Sequence, residues 1–75
     1  MSEARLLSLV ERYPHPTTLA RRVRDGTMFV GLRRLETHGF LYRRRGLYLL
    51  TRRGRAELAL AHALARRVHA IDYDP

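Results

Sequence analysis

The first apolar residues of the chain recur at the spacing of one helix face. A helix that opens at Ser2 carries on this face Leu6, Leu7 and Val10. Pro14 and Pro16 stop this helix, because each proline moves the residue before it out of helical geometry. The pattern therefore predicts a short amphipathic helix that ends before Pro14.

The second apolar segment is shorter and follows the two prolines. Thr17 or Thr18 offers an N-cap, since a threonine hydroxyl can accept a hydrogen bond from a free N–H of the first turn. The residues expected to face inward are Leu19, Ala20 and Val23, and those expected to face outward are Arg21, Arg22 and Arg24. Asp25-Gly26 then indicates a turn.

The third segment predicts a longer helix, from about Thr27 to His38. The residues that share its inward face are Met28, Gly31, Leu32 and Leu35. Gly39 stands where a left-handed C-cap belongs, and we expect Phe40 to fold back onto the last turn.

The last part of the chain predicts a β-hairpin followed by a fourth helix. Two short runs of strand-forming residues, Leu41-Tyr42 and Leu47–Leu50, flank Arg43–Gly46, where the glycine favours a tight turn. Thr51 can cap the last helix, and Gly54 is typical of a loose first turn.

The predicted element order is α-α-α-β-β-α. Together with a length of 75 residues, this order predicts a mainly α-helical fold with a small β-hairpin, of the winged helix-turn-helix class. We expect a single domain over residues 1–71, with its last helix over about 52–71 and a polar tail over 72–75.

The chain is strongly basic, and all of its 15 Lys and Arg residues are arginines. With 7 acidic residues the formal net charge is +8, so we expect a polyanionic partner. A planar guanidinium fits both phosphate groups and guanine edges. No apolar run reaches the roughly 18–20 residues that span a bilayer, and no cysteine is present. We therefore expect no membrane partner and a cytoplasmic location, nucleoid-associated when DNA is bound.

The second and third helices, with their glycine-containing turn, have the layout of a helix-turn-helix. In such a motif the second helix enters the major groove of DNA. At about 100° per residue, the outward face of this helix carries Val30, Arg33, Arg34 and Thr37, with Phe29 on the flank. Arginine can pair with O6 and N7 of guanine, and Phe29 and Val30 can touch thymine methyl groups.

Two of these assignments have an alternative. The pair Arg33 and Arg34 can be only a solvated helix face, and Phe29 can pack against the first or last helix. Further candidates for contacts with phosphate lie at or before the start of the third helix, namely Thr17, Thr18, Arg21, Arg22 and Thr27.

Arg43, Arg44 and Arg45 follow one another at the predicted hairpin turn. Their mutual repulsion would be relieved by a polyanion, so we predict a wing that contacts the phosphate backbone or the adjacent minor groove. The alternative is a charged turn that only keeps the protein soluble.

Two stretches resemble a known group of proteins. TMFVGLRRLETHGFL, from Thr27 to Leu41, resembles the recognition helix of winged-helix regulators of the PadR and MarR type, and YLLTRRGRAEL, from Tyr48 to Leu58, resembles their second wing strand and following helix. The resemblance covers about residues 17–60. It implies a dimeric transcriptional regulator whose DNA-facing residues are Thr27, Phe29, Val30, Arg33 and Arg34.

The chain departs from that group in several ways. Phe29 replaces its usual tyrosine, Gly31 replaces alanine, and the predicted wing is short. The larger C-terminal helical domain of PadR proteins has no counterpart. These departures indicate a minimal regulator of the kind carried by phages or plasmids.

The predicted last helix has two apolar stripes. One consists of Leu58, Ala61 and Ala65, and the other of Leu60, Leu64, Val68 and Ile71. Because a small core needs only one stripe, we predict that the second forms a homodimer interface. Two recognition helices would then lie about 34 Å apart and require a palindromic site. The alternative is a helix that lies wholly on its own domain.

Catalytic and metal-binding patterns are absent from the sequence. The four histidines do not have zinc spacing, and Glu36 and Glu57 have no acidic partner for general acid–base work. No glycine-rich loop is suited to hold a phosphate. We expect no enzymatic activity, no cofactor, no metal and no small-molecule ligand.

The sequence therefore predicts a sequence-specific regulator of transcription, a repressor, that binds double-stranded DNA. One alternative is a winged helix used for protein interaction, with its arginines facing an acidic partner. The other is an architectural or RNA-binding factor with little sequence preference.

Overall fold

The computed structural model describes residues 2–73, with the side chains described for residues 2–66. The fold is mainly helical with a two-stranded antiparallel hairpin, in the predicted order α-α-α-β-β-α. The elements are α1 (Glu3–Arg12), α2 (Pro16–Arg22), α3 (Met28–Thr37), β1 (Leu41–Arg44), β2 (Leu47–Leu50) and α4 (Arg52–Tyr73).

Helix α1 is the central element of the fold. Ser2 caps it as predicted, because the Ser2 hydroxyl accepts a 3.2 Å hydrogen bond from the N–H of Arg5. The helix packs against α3, α4 and β2. Elements from both ends of the chain are therefore held in place by the same short helix.

One cluster of apolar side chains forms the core. Its buried members are Leu6, Leu7, Val10, Leu19, Met28, Leu32, Leu35, Leu41, Tyr48, Leu50 and Leu58. Among the residues with described side chains, none of the buried ones is charged. Burial of these side chains is the main favourable term in folding, and all elements contribute to it.

The predicted N-cap of α2 is wrong. The N-cap is His15, in extended conformation, and Pro16 begins the helix without a capping hydrogen bond from any described side chain. Proline suits this position because its φ is already helical and an N–H there would lack a partner. Thr17 and Thr18 consequently lie inside the first turn.

The inward face of α2 is narrower than predicted. Leu19 is fully buried and Val23 is half-buried, but Ala20 is exposed, so its assignment to the core is wrong. The helix has only seven residues, and Val23 already has extended backbone. A single leucine is what anchors α2 to the core.

Helix α3 ends as predicted. Gly39 has a φ of 79°, and the N–H groups of Gly39 and Phe40 donate to the carbonyls of Glu36 at 3.1 Å and Leu35 at 2.9 Å. These are the two hydrogen bonds of the Schellman motif. Phe40 packs against the core. The turn directs the chain from α3 into β1.

The start of α4 is tighter than the sequence indicates. Thr51 caps the helix as predicted, accepting from the N–H of Gly54 at 3.0 Å. A loose first turn at Gly54 is the wrong prediction, because this residue is buried and an added Cβ would overlap the carbonyl oxygen of Phe40. The backbone of α4 therefore lies directly against the backbone of the turn after α3.

Helix α4 extends beyond the core and beyond its predicted end. It runs to Tyr73, so residues 72 and 73, predicted as tail, are helical. Its 22 residues span about 33 Å. Leu58 is buried and Ala61 half-buried, whereas residues 62–66 are all exposed, including Ala65 of the predicted core stripe. Residues 62–66, the last with described side chains, thus lie outside the core.

A search of the described helices finds none with both the length and the apolar character needed to cross a membrane.

Candidate nucleic-acid interface

One side of α3 is buried and the opposite side is open. Met28, Leu32 and Leu35 lie in the core. The opposite side, which we call the α3 outer face, consists of Val30, Arg33, Arg34 and Thr37, and all four residues are exposed. The structure therefore brings four of the predicted site residues together on a single helical surface.

The two apolar residues near the start of α3 differ in position. Val30 is 64% exposed and lies in the middle of the outer face. Phe29 is 45% exposed, lies on the flank about 100° from Met28, and is not part of the core cluster. Both side chains are therefore accessible to a partner.

A shallow cleft borders the outer face at the seam between α1 and α3. It has a volume of about 180 Å³ and is lined by Leu6, Thr27, Met28, Val30, Gly31 and Arg34. A Cβ on Gly31 would lie 2.6 Å from Cδ1 of Leu6. The glycine thus allows α1 to pack closely on α3, which leaves Val30 and Arg34 at the rim of the cleft.

The start of α3 carries a negative charge that sequence reasoning missed. The N–H and the hydroxyl of Thr27 both donate to Oδ1 of Asp25, at 3.0 and 2.7 Å. The hydroxyl bond first, and then the N–H bond, hold the pKa of Asp25 below its ordinary value. The sequence pattern assigns Asp25 only to a turn, although an aspartate two residues before a threonine is a signal for such local bonding.

The carboxylate of Asp25 acts against the predicted role of Thr27 as a phosphate ligand. Both donors of Thr27 are engaged by Asp25. A phosphate at this position would approach a charged carboxylate, which opposes its binding. At the other end of the outer face, the hydroxyl of Thr37 donates to the carbonyl of Arg33 at 2.9 Å. Thr37 therefore keeps only its acceptor capacity for a partner.

Helix α2 displays part of the predicted phosphate-binding set. Thr17, Arg21 and Arg22 are exposed, and Thr18 is half-buried. The guanidinium of Arg22 lies 5.1 Å from the centre of the Tyr13 ring. The same ring also contacts Arg12, at 5.5 Å.

Tyr13 has no role that the sequence alone predicts. In the structure its ring attracts two cations through its π-face. This holds the side chain of Arg22 against the body of the protein, whereas Arg21 has no such contact among the described rings. No short-range sequence pattern signals this arrangement.

The hairpin turn consists of two residues, Arg45 and Gly46, with φ values of 53° and 78°. Two positive φ values in a two-residue hairpin loop are typical of a type I′ turn. The prediction of three arginines around one turn is wrong, because Arg43 and Arg44 belong to β1. Strand β1 is longer than predicted since the tight turn needs only two residues.

Arg43 and Arg44 lie on opposite faces of the hairpin. Arg43 pairs with Tyr48 across the hairpin and Arg44 pairs with Leu47, and successive strand residues alternate between faces. The guanidinium of Arg43 stacks 4.9 Å from the centre of the Tyr48 ring. Arg43 and Arg44 therefore point to opposite sides of the hairpin, which lowers the repulsion expected from sequence.

Strand β2 is tied to the connection between α1 and α2. The N–H of Tyr48 donates to the carbonyl of Pro14 at 2.9 Å. The Tyr48 side chain is itself buried in the core. The hairpin is thus anchored from two directions, and no sequence pattern signals this contact because the two residues are far apart in the chain.

The predicted dimer stripe on α4 is accessible where it is described. Leu60 is 55% exposed and Leu64 is 52% exposed. Val68 and Ile71, the other two residues of the stripe, lie outside the residues with described side chains.

One arginine of α4 is used within the fold, since Arg53 donates to the carbonyl of His38 at 3.1 Å and stacks on Phe40.

Within the described part of the chain, no three His, Asp, Glu or Cys residues are grouped closely enough to hold a metal ion. Exposed arginines lie on α2, α3 and the hairpin, and also on α1 and α4. Comparison of the chain with protein-family models, with curated proteins and with solved structures finds no match.

Proposed function

We propose that this protein is a winged helix-turn-helix regulator of transcription that binds double-stranded DNA in a sequence-specific way. In this proposal α2, the Asp25-Gly26 turn and α3 form the helix-turn-helix, and the β1–β2 hairpin is the wing. The observation that carries it is the α3 outer face, where arginines and an apolar side chain are exposed on a helix whose other side is buried.

The composition of the outer face suits base edges as well as phosphates. A major groove about 12 Å wide admits an α-helix. Arg33 and Arg34 can each donate two hydrogen bonds to O6 and N7 of guanine. Val30 can bind no phosphate, so its exposure at the middle of the face favours a partner with apolar groups.

The hairpin supplies contacts that position the protein without reading sequence. Arg44 and Arg45 are exposed near its tip, and Arg43 lies over Tyr48. Arginines in this place fit the phosphate backbone or the minor groove next to the site of α3. Arg21 and Arg22, exposed on α2, add positive charge to the motif.

The working unit of the proposal is a homodimer formed through α4. The side chains of residues 62–66 of this helix are exposed, and Leu60 and Leu64 lie exposed at a spacing of four residues. A dimer with two recognition helices about one DNA turn apart would bind a palindromic operator. A dimer bound at an operator blocks access to the DNA, so the expected effect is repression.

The proposal is tested by selecting bound duplexes from a random DNA pool and measuring their affinity by fluorescence anisotropy at physiological salt. We expect one palindromic sequence to bind far more tightly than a scrambled duplex. Arg33→Ala or Arg34→Ala should remove about 1–3 kcal/mol of this preference. Arg66→Ala, which removes an exposed arginine of α4, is the matched control and should keep it.

Each alternative has its own outcome in this experiment. Equal affinity for all duplexes, or for duplex RNA, would indicate an architectural or RNA-binding factor. Failure to bind DNA would favour a winged helix that contacts an acidic protein. Full sequence preference in the Arg33→Ala and Arg34→Ala variants would show that the α3 outer face is not the reading surface.

A further inference from the structure

We propose that Val30 reads a thymine methyl group and that Arg34 reads a guanine beside it. Each half-site would then carry a thymine and a guanine one or two base-pair steps apart. This inference rests on the proposed function, because it assigns base identities to the α3 outer face.

Val30 is the most exposed of the large hydrophobic side chains described, at 64%. It contributes little burial to the core, and a β-branched residue is mildly unfavourable in a helix. The position therefore gains nothing for the fold from being valine. Its location in the middle of the outer face, at the third residue of α3, is where a recognition helix meets base edges.

The chemistry of valine restricts what it can read. Its side chain has neither a hydrogen-bond donor nor an acceptor. The apolar group that a base pair presents in the major groove is the thymine methyl. A buried contact between this methyl and the valine methyls removes both from water, which adenine, guanine or cytosine at the same place cannot match.

The charge at the start of α3 favours bases over phosphates near Val30. The carboxylate of Asp25 is held there by two hydrogen bonds from Thr27, and Thr27 lines the same cleft as Val30. A negative charge repels the DNA backbone. A phosphate is therefore disfavoured beside the first turn of α3, and an apolar group such as a thymine methyl is not.

Arg34 is the arginine placed to act with Val30. The two residues are four apart, so they are neighbours on the helix surface, and both line the cleft between α1 and α3. Four residues advance a helix by about 6 Å, compared with about 3.4 Å per base pair of one strand. Val30 and Arg34 consequently address bases one or two steps apart.

The test uses the palindromic duplex selected by the wild-type protein. Each thymine is replaced singly by deoxyuridine, which lacks only the methyl group, and each guanine by 7-deazaguanine, which lacks N7. We expect deoxyuridine at one thymine of a half-site to weaken wild-type binding about fourfold, the effect of about 0.8 kcal/mol per buried methyl-sized group. Val30→Ala should lose most of this difference, because its shorter side chain buries less of the thymine methyl, whereas Arg34→Ala should keep it in full.

The guanine arm gives the converse result. We expect 7-deazaguanine within two steps of that thymine to weaken the wild type and Val30→Ala but not Arg34→Ala. Circular dichroism should show both variants to be folded, since both side chains are exposed. Specific binding that ignores every deoxyuridine, or Val30→Ala with full sensitivity to it, would overturn this inference alone. A wild type that selects no sequence would overturn the proposed function with it.

Discussion

At the scale of single residues, the hydroxyl of Thr51 joins the start of α4 to the turn after α3. This hydroxyl accepts from the N–H of Gly54 and donates to the carbonyl of Gly39 at 2.6 Å. We expect Thr51→Ala to lower the free energy of unfolding by about 1–2 kcal/mol, because a helix cap and a second hydrogen bond are removed. Urea denaturation measures this change. Thr51→Ser keeps the hydroxyl and is the control, and equal destabilisation of both variants would contradict the explanation.

Replacement of glycine by alanine should change the stability of the protein differently at Gly54 and at Gly26. We expect Gly54→Ala to destabilise the protein despite the better helix propensity of alanine, because the new Cβ would overlap the carbonyl oxygen of Phe40. Gly26→Ala is the matched control, since a Cβ at this residue would have no atom within 4 Å and no positive φ is required there. Thermal unfolding followed by circular dichroism should show a lower midpoint temperature for Gly54→Ala and an unchanged or higher one for Gly26→Ala.

Sequence spacing predicts the buried residues better than it predicts polar contacts. Leu32 and Leu35 are assigned to the core by periodicity, which depends only on local geometry. The hydrogen bonds from Thr27 to Asp25 are local as well. They are not predicted, because Asp25-Gly26 is interpreted only as a turn. The close approach of Gly54 to Phe40 is not predictable, since it depends on how two elements meet.

At the scale of elements, the hairpin turn combines backbone strain with a residue that the sequence predicts to contact DNA. Arg45 has a φ of 53°, a conformation that costs an ordinary residue about 1 kcal/mol and that asparagine adopts more readily. We expect Arg45→Asn to raise the free energy of unfolding by up to about 1 kcal/mol. If Arg45 contacts phosphate, the same change should lower the slope of log K against log salt by about 0.9 for each phosphate that is no longer neutralised.

Arg45→Lys is the control for this prediction. It keeps both the positive charge and the strained conformation, so neither the stability nor the salt slope should change. The measurements are urea denaturation and DNA affinity at several salt concentrations. A salt slope that is the same in Arg45→Asn and in the wild type would contradict a phosphate contact at the turn.

Element types are predictable where the residue pattern is local, and element ends are not. The order of helices and strands follows from apolar spacing and turn residues. The start of α2 is misplaced because Pro16 takes the first helical position, which makes a threonine cap unnecessary. β1 is predicted too short because arginines in a strand look like a loop when the cross-strand partner, such as Tyr48 for Arg43, is unknown.

At the scale of the whole molecule, the placement of the candidate site depends on contacts between distant segments. Tyr48 reaches the Pro14 carbonyl, and this bond fixes the hairpin beside the connection between α1 and α2. The sequence indicates which residues of α3 face outward, but it contains no signal for this link.

The two exposed leucines of α4 lead to a prediction about assembly. Leu60 and Leu64 are each about half exposed. Burial of the exposed half in a dimer interface would contribute about 1 kcal/mol per side chain to the free energy of association. A symmetric dimer buries four such leucines. We therefore expect Leu60→Ser combined with Leu64→Ser to weaken a dimer by about 4 kcal/mol, roughly a thousandfold in its dissociation constant. Light scattering on a sizing column should then show half the wild-type mass.

The matched control changes the same helix on another face. His62→Ser with Arg66→Ser has the same spacing and replaces exposed residues about 160° around the helix from Leu60 and Leu64, so the mass should stay that of the wild type. The DNA readout separates assembly from recognition. The leucine variant should bind a palindrome no better than an isolated half-site, because each α3 outer face is intact but the two are no longer linked. A wild type that is monomeric at the concentrations where it binds DNA, or a leucine variant that stays dimeric, would exclude α4 as the interface while leaving the assignment of α3 unaffected.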